Sequence, residues 1–427
     1  MLIIYKKLTY LLYPIFVLII FLRRFLKKED WNRYKEKIFS SNFNKERNAN
    51  KKLIWFHASS VGEMKSILPI IKELNNYNKK FEFLITTVTL SSGNLATDEI
   101  KKFDNVKHRY FPIDVDFLIK KFIETWKPNF VFLVDSEIWP NLVLTVKEKK
   151  IPLGIINARI TQKSFKRWKW IKKTAKKVFS SFDLCLTSNR ETQNYLKEFD
   201  VKNIYNSGNI KLISSIERSN FQNENGKILA NKKFWLAVST HRGEERLCLN
   251  THVLLKNKFS SIKTIIAPRH INRSEEIKSL CKKFNLEAQI LDKGGIISDQ
   301  KEIIILNTFG ELNKYFNICR SVFIGKSTLK RLEKDSGQNP IDAAKLGCKI
   351  YHGPFVYNFK EIYELLDKNN ISKEINNSED LFKNLTNDFE NSNKDSTKVI
   401  LLMNSLENET LKNTMKHINY FLSHESV

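Results

Sequence analysis

Short apolar runs alternate with amphipathic helical stretches along almost the whole chain, and this alternation restricts the fold more than any other feature. In the first half the strand-like runs fall at 53–58, 81–88, 106–111, 130–134, 153–156, 184–187 and 204–206. A polar stretch at 217–227 reads as a linker, after which the runs resume at 234–239, 264–267, 288–291, 303–306, 322–324 and 349–352. Strands separated by helices must cross over and pair in parallel, with helices on both faces of the sheet. A chain of 427 residues is long enough for two such domains, each with its own core. The expected class is therefore α/β with two doubly wound domains, 29–215 and 216–427, and a cleft between them. A final helical pattern, 396–423, carries Val399, Leu402, Met403, Leu406 and Leu411 as its apolar face.

Open α/β sheets bind ligands at the carboxyl ends of their strands, so polar residues there are the first candidates for chemistry. Trp55-Phe-His-Ala-Ser-Ser-Val-Gly-Glu-Met64 runs from a strand through a Ser/Gly loop to Glu63 at the mouth of a helix. Glu63 is either a carboxylate presented to a ligand or a helix-start residue that favours the dipole. Glu137 follows the strand at 130–134, with capping of the helix near Pro140 as its structural alternative. In the second half, Ser239-Thr-His-Arg242 ends a strand and opens a helix, a geometry suited to an anion on free backbone N–H groups. Arg269 and His270 end the next strand and add a fixed charge and an imidazole. Asn339-Pro-Ile-Asp342 has the form of a helix start, with Asn as N-cap, Pro at N1 and Asp at N3. His241, His270 and His352 lack the short spacings of a zinc motif, and no Asp-x-Asp pair suits a divalent ion, so no metal is expected.

The N-terminus differs in kind. Residues 8–22 are almost wholly apolar and are bracketed by Lys6-Lys7 and Arg23-Arg24. That run is shorter than the roughly 20 residues of a full span. No small-residue cleavage site follows it, so residues 1–28 are expected to form an uncleaved membrane anchor, with the remainder on the cytoplasmic side. Lys+Arg 72 against Asp+Glu 46 leaves +26, which calls for a polyanionic neighbour: nucleic acid, anionic lipid or a phosphorylated substrate. Residues 159–177 contain nine Lys or Arg, no acid, and Phe165, Trp168 and Trp170, a composition suited to an anionic membrane surface. The five cysteines are scattered without a Cys-x-x-Cys pair and read as buried, reduced thiols.

The Ser-Val-Gly-Glu tract resembles the start of the transferases of 3-deoxy-manno-octulosonic acid (Kdo). Further tracts follow in that family's order: Ser136-Glu-Ile-Trp-Pro-Asn141, Asn157-Ala-Arg-Ile160, Ser207-Gly-Asn-Ile-Lys211 and Ser239-Thr-His-Arg-Gly-Glu-Glu245. Pro268-Arg-His270, Thr308-Phe-Gly-Glu-Leu312, Gly337-Gln-Asn-Pro340, Gly353-Pro354 and Asn358-Phe359 continue the series. The resemblance implies a GT-B fold of two Rossmann-like domains whose last helix crosses back onto the first. It implies an inverting glycosyltransferase of the inner membrane that moves Kdo from CMP-Kdo to a lipid A precursor, lipid IVA, in lipopolysaccharide synthesis. No cofactor, metal or nucleic-acid partner is implied. Glu63 would be the base and Glu137 a second acid of the active site, with Ser60, Gly62, Asn157, Arg159 and Lys211 on the substrate side. Ser239, Thr240, His241, Arg269, His270, Gly310, Glu311, Asn339 and Asp342 would hold the nucleotide.

The chain departs from the family pattern at Asp342, where Glu is usual, at Lys326 and Ser336, where glycine is preferred, and at Leu212-Ile213, which lack an acidic residue. These changes put the nucleotide side in question and leave open a GT-B enzyme using another nucleotide sugar. A nonenzymatic nucleic-acid binder rests only on the charge.

Overall fold

The computed structural model describes every residue except 44–46, 49, 78–79, 215, 217–223, 309, 392–395 and 425–427. It divides into two compact units, Met1–Ser215 with Glu407–Val427, and Ile216–Leu406. The first contains strands β1 (Lys52–His57), β2 (Phe81–Thr87), β3 (Val106–Tyr110), β4 (Phe130–Val134), β5 (Leu153–Ala158), β6 (Leu184–Thr187) and β7 (Ile204–Asn206). These form one sheet in the order β3-β2-β1-β4-β5-β6-β7, with every pair parallel. The second contains β8 (Phe234–Thr240), β9 (Lys263–Pro268), β10 (Ala288–Leu291), β11 (Ile303–Leu306), β12 (Ser321–Ile324), β13 (Lys349–His352) and β14 (Ser372–Glu374). Their order is β10-β11-β9-β8-β12-β13-β14, again all parallel.

Parallel central strands are covered on both faces, so their residues are apolar without a gap. Leu53 and Trp55 of β1 join one buried cluster with Leu84, Val131 and Leu133. Ile54 and Phe56, pointing the other way, join a second with Phe83, Ile85 and Phe132. The terminal helix, Ser396–His424, completes that second cluster with Met415, Ile418, Phe421 and Leu422. The Phe421 ring lies 6.0 Å from Phe130 and 5.7 Å from Phe132. A separate cluster, including Trp235, Ala237, Phe323 and Tyr351, forms the core of the second unit.

Three expectations need correction. Residues 217–223 of the supposed linker lie outside the described residues, but Glu224 already begins a helix, Glu224–Ala230. Polar Asn225 works inside the fold there, donating to Gly295 O at 2.8 Å and accepting from Ile297 N at 2.7 Å. Strand β14 has no apolar signal because it is an edge strand with Lys373 and Glu374 exposed. The aromatic residues of the basic segment do not act as a set. Phe165 is buried and Trp168 packs edge-on against Phe179 at 5.1 Å, whereas Trp170 is 90% exposed.

The N-terminal apolar run forms two helices, Leu2–Leu11 and Tyr13–Phe25, bent by 55°. Among the described residues no single helix is long and apolar enough to cross a membrane; this pair qualifies only when its halves are joined. One face is fastened to the first unit. Tyr5 Oη donates to Asp114 at 3.0 Å, Asn141 Nδ2 to Thr9 Oγ1 at 3.1 Å, and Tyr13 Oη to Ile38 O at 2.6 Å. The other face leaves Ile3, Leu8, Leu11, Ile15, Leu18 and Leu22 exposed. All five cysteines are buried and free.

Candidate active site

Strand order reverses between β1 and β4 in the first sheet and between β8 and β12 in the second. The loops leaving such neighbours diverge to opposite faces and open a crevice at the carboxyl edge. The loop after β1 delivers Glu63, and the loop after β4 delivers Asp135 and Glu137. The end of β8 delivers Ser239 and Thr240 and the loop after it His241, and the loop after β12 delivers Lys326.

Glu63 is in the first turn of the helix Val61–Tyr77, and its side chain turns back over the loop. Its carboxylate accepts from Ser59 N–H at 2.8 Å, Ser59 Oγ at 3.1 Å and Ser60 Oγ at 2.8 Å. This is a variant of the capping box, so the helix-start role is real. It coexists with a second property: Glu63 is only 8% exposed. Burial first, then the negative charge of Asp135, pushes its carboxyl above the ordinary range; Ser60 opposes this, and Glu137 adds to it. Burial and the two neighbouring carboxylates thus outweigh the hydrogen bonds from Ser59 and Ser60. A Cβ added at Gly62 would meet no protein atom, so the backbone there is open to an approaching molecule.

Glu137 does not cap the next helix, which starts at Pro140 without a side-chain cap. Its Oε2 accepts from Trp139 Nε1 at 3.0 Å and faces His57 Nε2 at 3.6 Å. Burial pushes the Glu137 carboxyl up, but His57, Ser59 and Trp139 together hold it below the usual range. Two carboxyls with opposite displacements therefore share one loop cluster, the pattern of an acid/base pair. Asp135, passed over in the sequence reading, is 7% exposed and accepts from Lys211 Nζ at 2.8 Å. Asn157, in a left-handed conformation (φ 60°), bridges the same group: its Nδ2 lies 3.5 Å from Asp135, and its Oδ1 accepts from Ile210 N at 3.0 Å. Arg159 N–H donates to Asp135 O at 3.3 Å. Asn157 and Lys211 are thus drawn to the Asp135 carboxylate, while Arg159 meets Asp135 through the backbone. Asp135 had the same strand-end signal as Glu63. His57 had none, standing at a strand position indistinguishable from core.

In the second unit the expected free backbone N–H groups after β8 are already engaged. His241 N–H donates to Glu244 Oε2 at 2.9 Å and Gly243 N–H to Glu245 Oε2 at 3.2 Å. The fully buried Glu244 also accepts from the backbone of Lys326 (2.6 Å), Ser327 (2.9 Å) and Thr328 (3.1 Å). A carboxylate supplied by the chain satisfies this helix start, which leaves anion binding to side chains. Arg269 and His270 are exposed, with the His270 ring 6.0 Å from that of His241. His241 Nδ1 lies 3.1 Å from Ser239 O and donates to it, and burial lowers the proton affinity of the ring, so Nε2 is a bare acceptor. Thr240 is fully buried.

A cavity of about 380 Å³ opens at the ends of β10 and β11, lined by Asp292, Gly294, Thr308, Glu311, Lys314 and Tyr315. Gly310 flanks Glu311 with φ 81°. Asn339 and Asp342 are not among its lining residues. Asn339 Oδ1 accepts from Ile341 N at 3.0 Å, a cap one residue displaced from the expected register because the helix begins at Ile341. Lys326 stands at φ 57°, a backbone position that favours glycine, and Ser336 Oγ bonds Glu333 O at 2.7 Å and Tyr357 N at 3.1 Å. Among the described residues no group of three or more His, Cys, Asp or Glu is arranged to hold a metal.

Two parallel doubly wound sheets, each with its polar loops at the switch point, define the GT-B fold. The same architecture is found in a glycosyltransferase from Rickettsia africae ESF-5, at a TM-score of 0.58 and 13% identity, covering 88% of this chain and 100% of that one; this likeness bears on the fold alone. Residues 32–214 match the family described as 3-deoxy-D-manno-octulosonic-acid transferase (kdotransferase). The chain is 32% identical over 356 residues to the 3-deoxy-D-manno-octulosonic acid transferase of Rickettsia bellii (strain RML369-C), covering 82% of each. It is 29% identical over 376 residues to a probable mitochondrial 3-deoxy-D-manno-octulosonic acid transferase of Arabidopsis thaliana, covering 86% of this chain and 82% of that one. The chain belongs to the Kdo transferase family.

Proposed function

We propose that this enzyme transfers Kdo from CMP-Kdo to a hydroxyl of a lipid A precursor, lipid IVA, with inversion at the anomeric carbon. The observation that carries the reading is Glu63: a buried carboxylate of raised proton affinity at a switch point, above an open glycine. Glu63 takes the acceptor proton as the hydroxyl oxygen bonds to the anomeric carbon. The bond from that carbon to the CMP phosphate oxygen breaks on the opposite face, and its electron pair leaves with CMP. Glu137 stays ionised beside Glu63. Asn157, Arg159 and Lys211, gathered around Asp135, bind the substrate, with Ser60 and Gly62 flanking the base. Arg269 and His270 meet the leaving phosphate with exposed side chains, and the cavity beside Thr308, Gly310 and Glu311 accommodates the nucleotide. Ser239 and His241 complete this side in our assignment, whereas Thr240 is fully buried and Asn339 and Asp342 lie outside that cavity. A nucleoside monophosphate leaving group carries less charge than a diphosphate, and the proposed steps assign no metal or cofactor.

The exposed apolar face of the N-terminal helix pair supports an inner-membrane location, with the catalytic units on the cytoplasmic side. The test is mass spectrometry of lipid IVA after incubation with fresh CMP-Kdo, beside a Glu63→Gln control. Kdo-bearing product from the wild type alone is the expected result. No product from folded, membrane-reconstituted enzyme would sink this donor and acceptor assignment, and competition by CMP against UDP would then identify the nucleotide that binds.

A further inference from the structure

The His57 imidazole is buried to 0% exposure at the end of β1 and has no part in the steps proposed above. Its ring stacks on Phe111 at 4.0 Å, which fixes its plane. Nδ1 lies 2.9 Å from Thr86 Oγ1, and Trp55 Nε1 lies 2.9 Å from the same oxygen. An indole nitrogen can only donate, so Trp55 occupies a lone pair of Thr86. Thr86 is itself fully buried, and the acceptor within reach of its hydroxyl proton is His57 Nδ1. A hydroxyl proton given to Nδ1 puts the ring proton on Nε2. That nitrogen has no hydrogen-bond partner and faces Glu137 Oε2 at 3.6 Å, slightly beyond bonding distance. A buried donor left without a partner is costly, and it is retained here pointing at a carboxylate of the site.

We propose that His57 is a positioning residue for Glu137: the Trp55–Thr86 pair locks its tautomer, and its Nε2–H orients and holds the Glu137 carboxylate during sugar transfer. This rests on the transfer reaction proposed above. Glu137 in turn is one of the charges facing Glu63, together with Asp135, while Ser59 and Ser60 bond to Glu63 directly. A change at His57 is therefore felt by the base without any contact between them.

The side-chain amide nitrogen of glutamine reaches the place of Nε2, whereas that of asparagine stops near Nδ1. In the full-length reconstituted enzyme, His57→Asn should lower kcat at least about tenfold with donor KM nearly unchanged, and His57→Gln should recover most of the loss. In a Glu137→Gln background, His57→Asn should add little, because the residue through which it acts is already disabled. Equal losses for Asn and Gln, or a loss of undiminished size in the Glu137→Gln background, would overturn the proposal. The tautomer supplies a readout independent of turnover. With 15N-labelled histidine, and His57→Gln to assign the signal, the neutral ring should show a protonated Nε2 and a bare Nδ1. A proton on Nδ1 overturns the proposal even if the enzyme is active. An inactive wild type with the Nε2–H tautomer would instead count against the donor and acceptor assignment while supporting the relay.

Discussion

Glu63 lowers the stability of the fold whenever it ionises, because burial and the neighbouring Asp135 and Glu137 favour its protonated form. Below the ordinary carboxylate pKa of about 4 both folded and unfolded chains hold the proton, and nothing is lost. As pH rises, the unfolded chain releases its proton first, and stability falls until the raised folded value is passed. Glutamine keeps the shape and cannot ionise. Glu63→Gln should therefore melt above the wild type at about pH 8, with the gap closing towards about pH 4, while abolishing transfer. Calorimetry across that range checks the sign; a variant melting below wild type at high pH would mean that the hydrogen bonds from Ser59 and Ser60 outweigh burial. Glu63 and Glu137 were legible because each follows an apolar strand within a few residues. His57 and Glu244 were not. The first looks like core, and the second draws its meaning from Lys326 to Thr328, more than 80 residues away in sequence.

The strands of both sheets were readable almost to the residue because buried parallel strands are apolar throughout; the charged edge strand β14 has no such signature. The loop joining β12 to its helix is a different matter, since its shape is set by contacts across the sheet. A Cβ at Gly325 would lie 2.7 Å from both Glu244 Oε2 and Thr240 Cα. Gly325→Ala should cost about 1–3 kcal/mol in urea unfolding, with larger damage to nucleotide binding than to the first unit. Its neighbour Lys326 holds a left-handed backbone (φ 57°) whose bond to Glu244 any residue could make, and its side chain adds only an ion pair to Asp335, itself 79% exposed. Lys326→Gly should raise the urea midpoint by up to about 1 kcal/mol equivalent; a fall would show that the lysine side chain matters more than its strain. The terminal helix gives a third case. Its sequence pattern named Val399 to Leu411; Leu411 does pack against the first core, but the buried residues that close it, Met415, Ile418, Phe421 and Leu422, lie beyond that pattern. Phe421→Ala should destabilise the first unit by about 3–5 kcal/mol, read as a lowered first transition on heating.

A net charge of +26 does not by itself distinguish a membrane from a nucleic acid, and the membrane location we propose rests on how charge and apolar surface are distributed over the first unit. The helix Leu2–Leu11 packs on Asp116–Trp126, which packs on Pro140–Glu148, which packs on Lys172–Phe179, so the apolar pair and the basic helices belong to one layer of the sheet. That layer combines an unpartnered apolar row, Ile3 to Leu22, with Trp170 standing 90% exposed among lysines. Nucleic acid rewards the charge and has no use for the apolar row; an anionic bilayer rewards both. Two separable contributions to vesicle binding are therefore expected. Each exposed leucine that enters the hydrocarbon contributes about 1.5–3 kcal/mol and is insensitive to salt. Each lysine near an anionic surface contributes about 1 kcal/mol and is screened within a Debye length. Leu11→Ser combined with Leu18→Ser should abolish flotation with neutral phosphatidylcholine vesicles while leaving salt-sensitive binding to phosphatidylglycerol vesicles. Trp170→Ala should weaken the binding to anionic vesicles and leave that to neutral ones nearly unchanged. Binding to RNA that competes with vesicles and persists in both variants would instead assign the charge to a nucleic acid, and the apolar row would then need a protein partner.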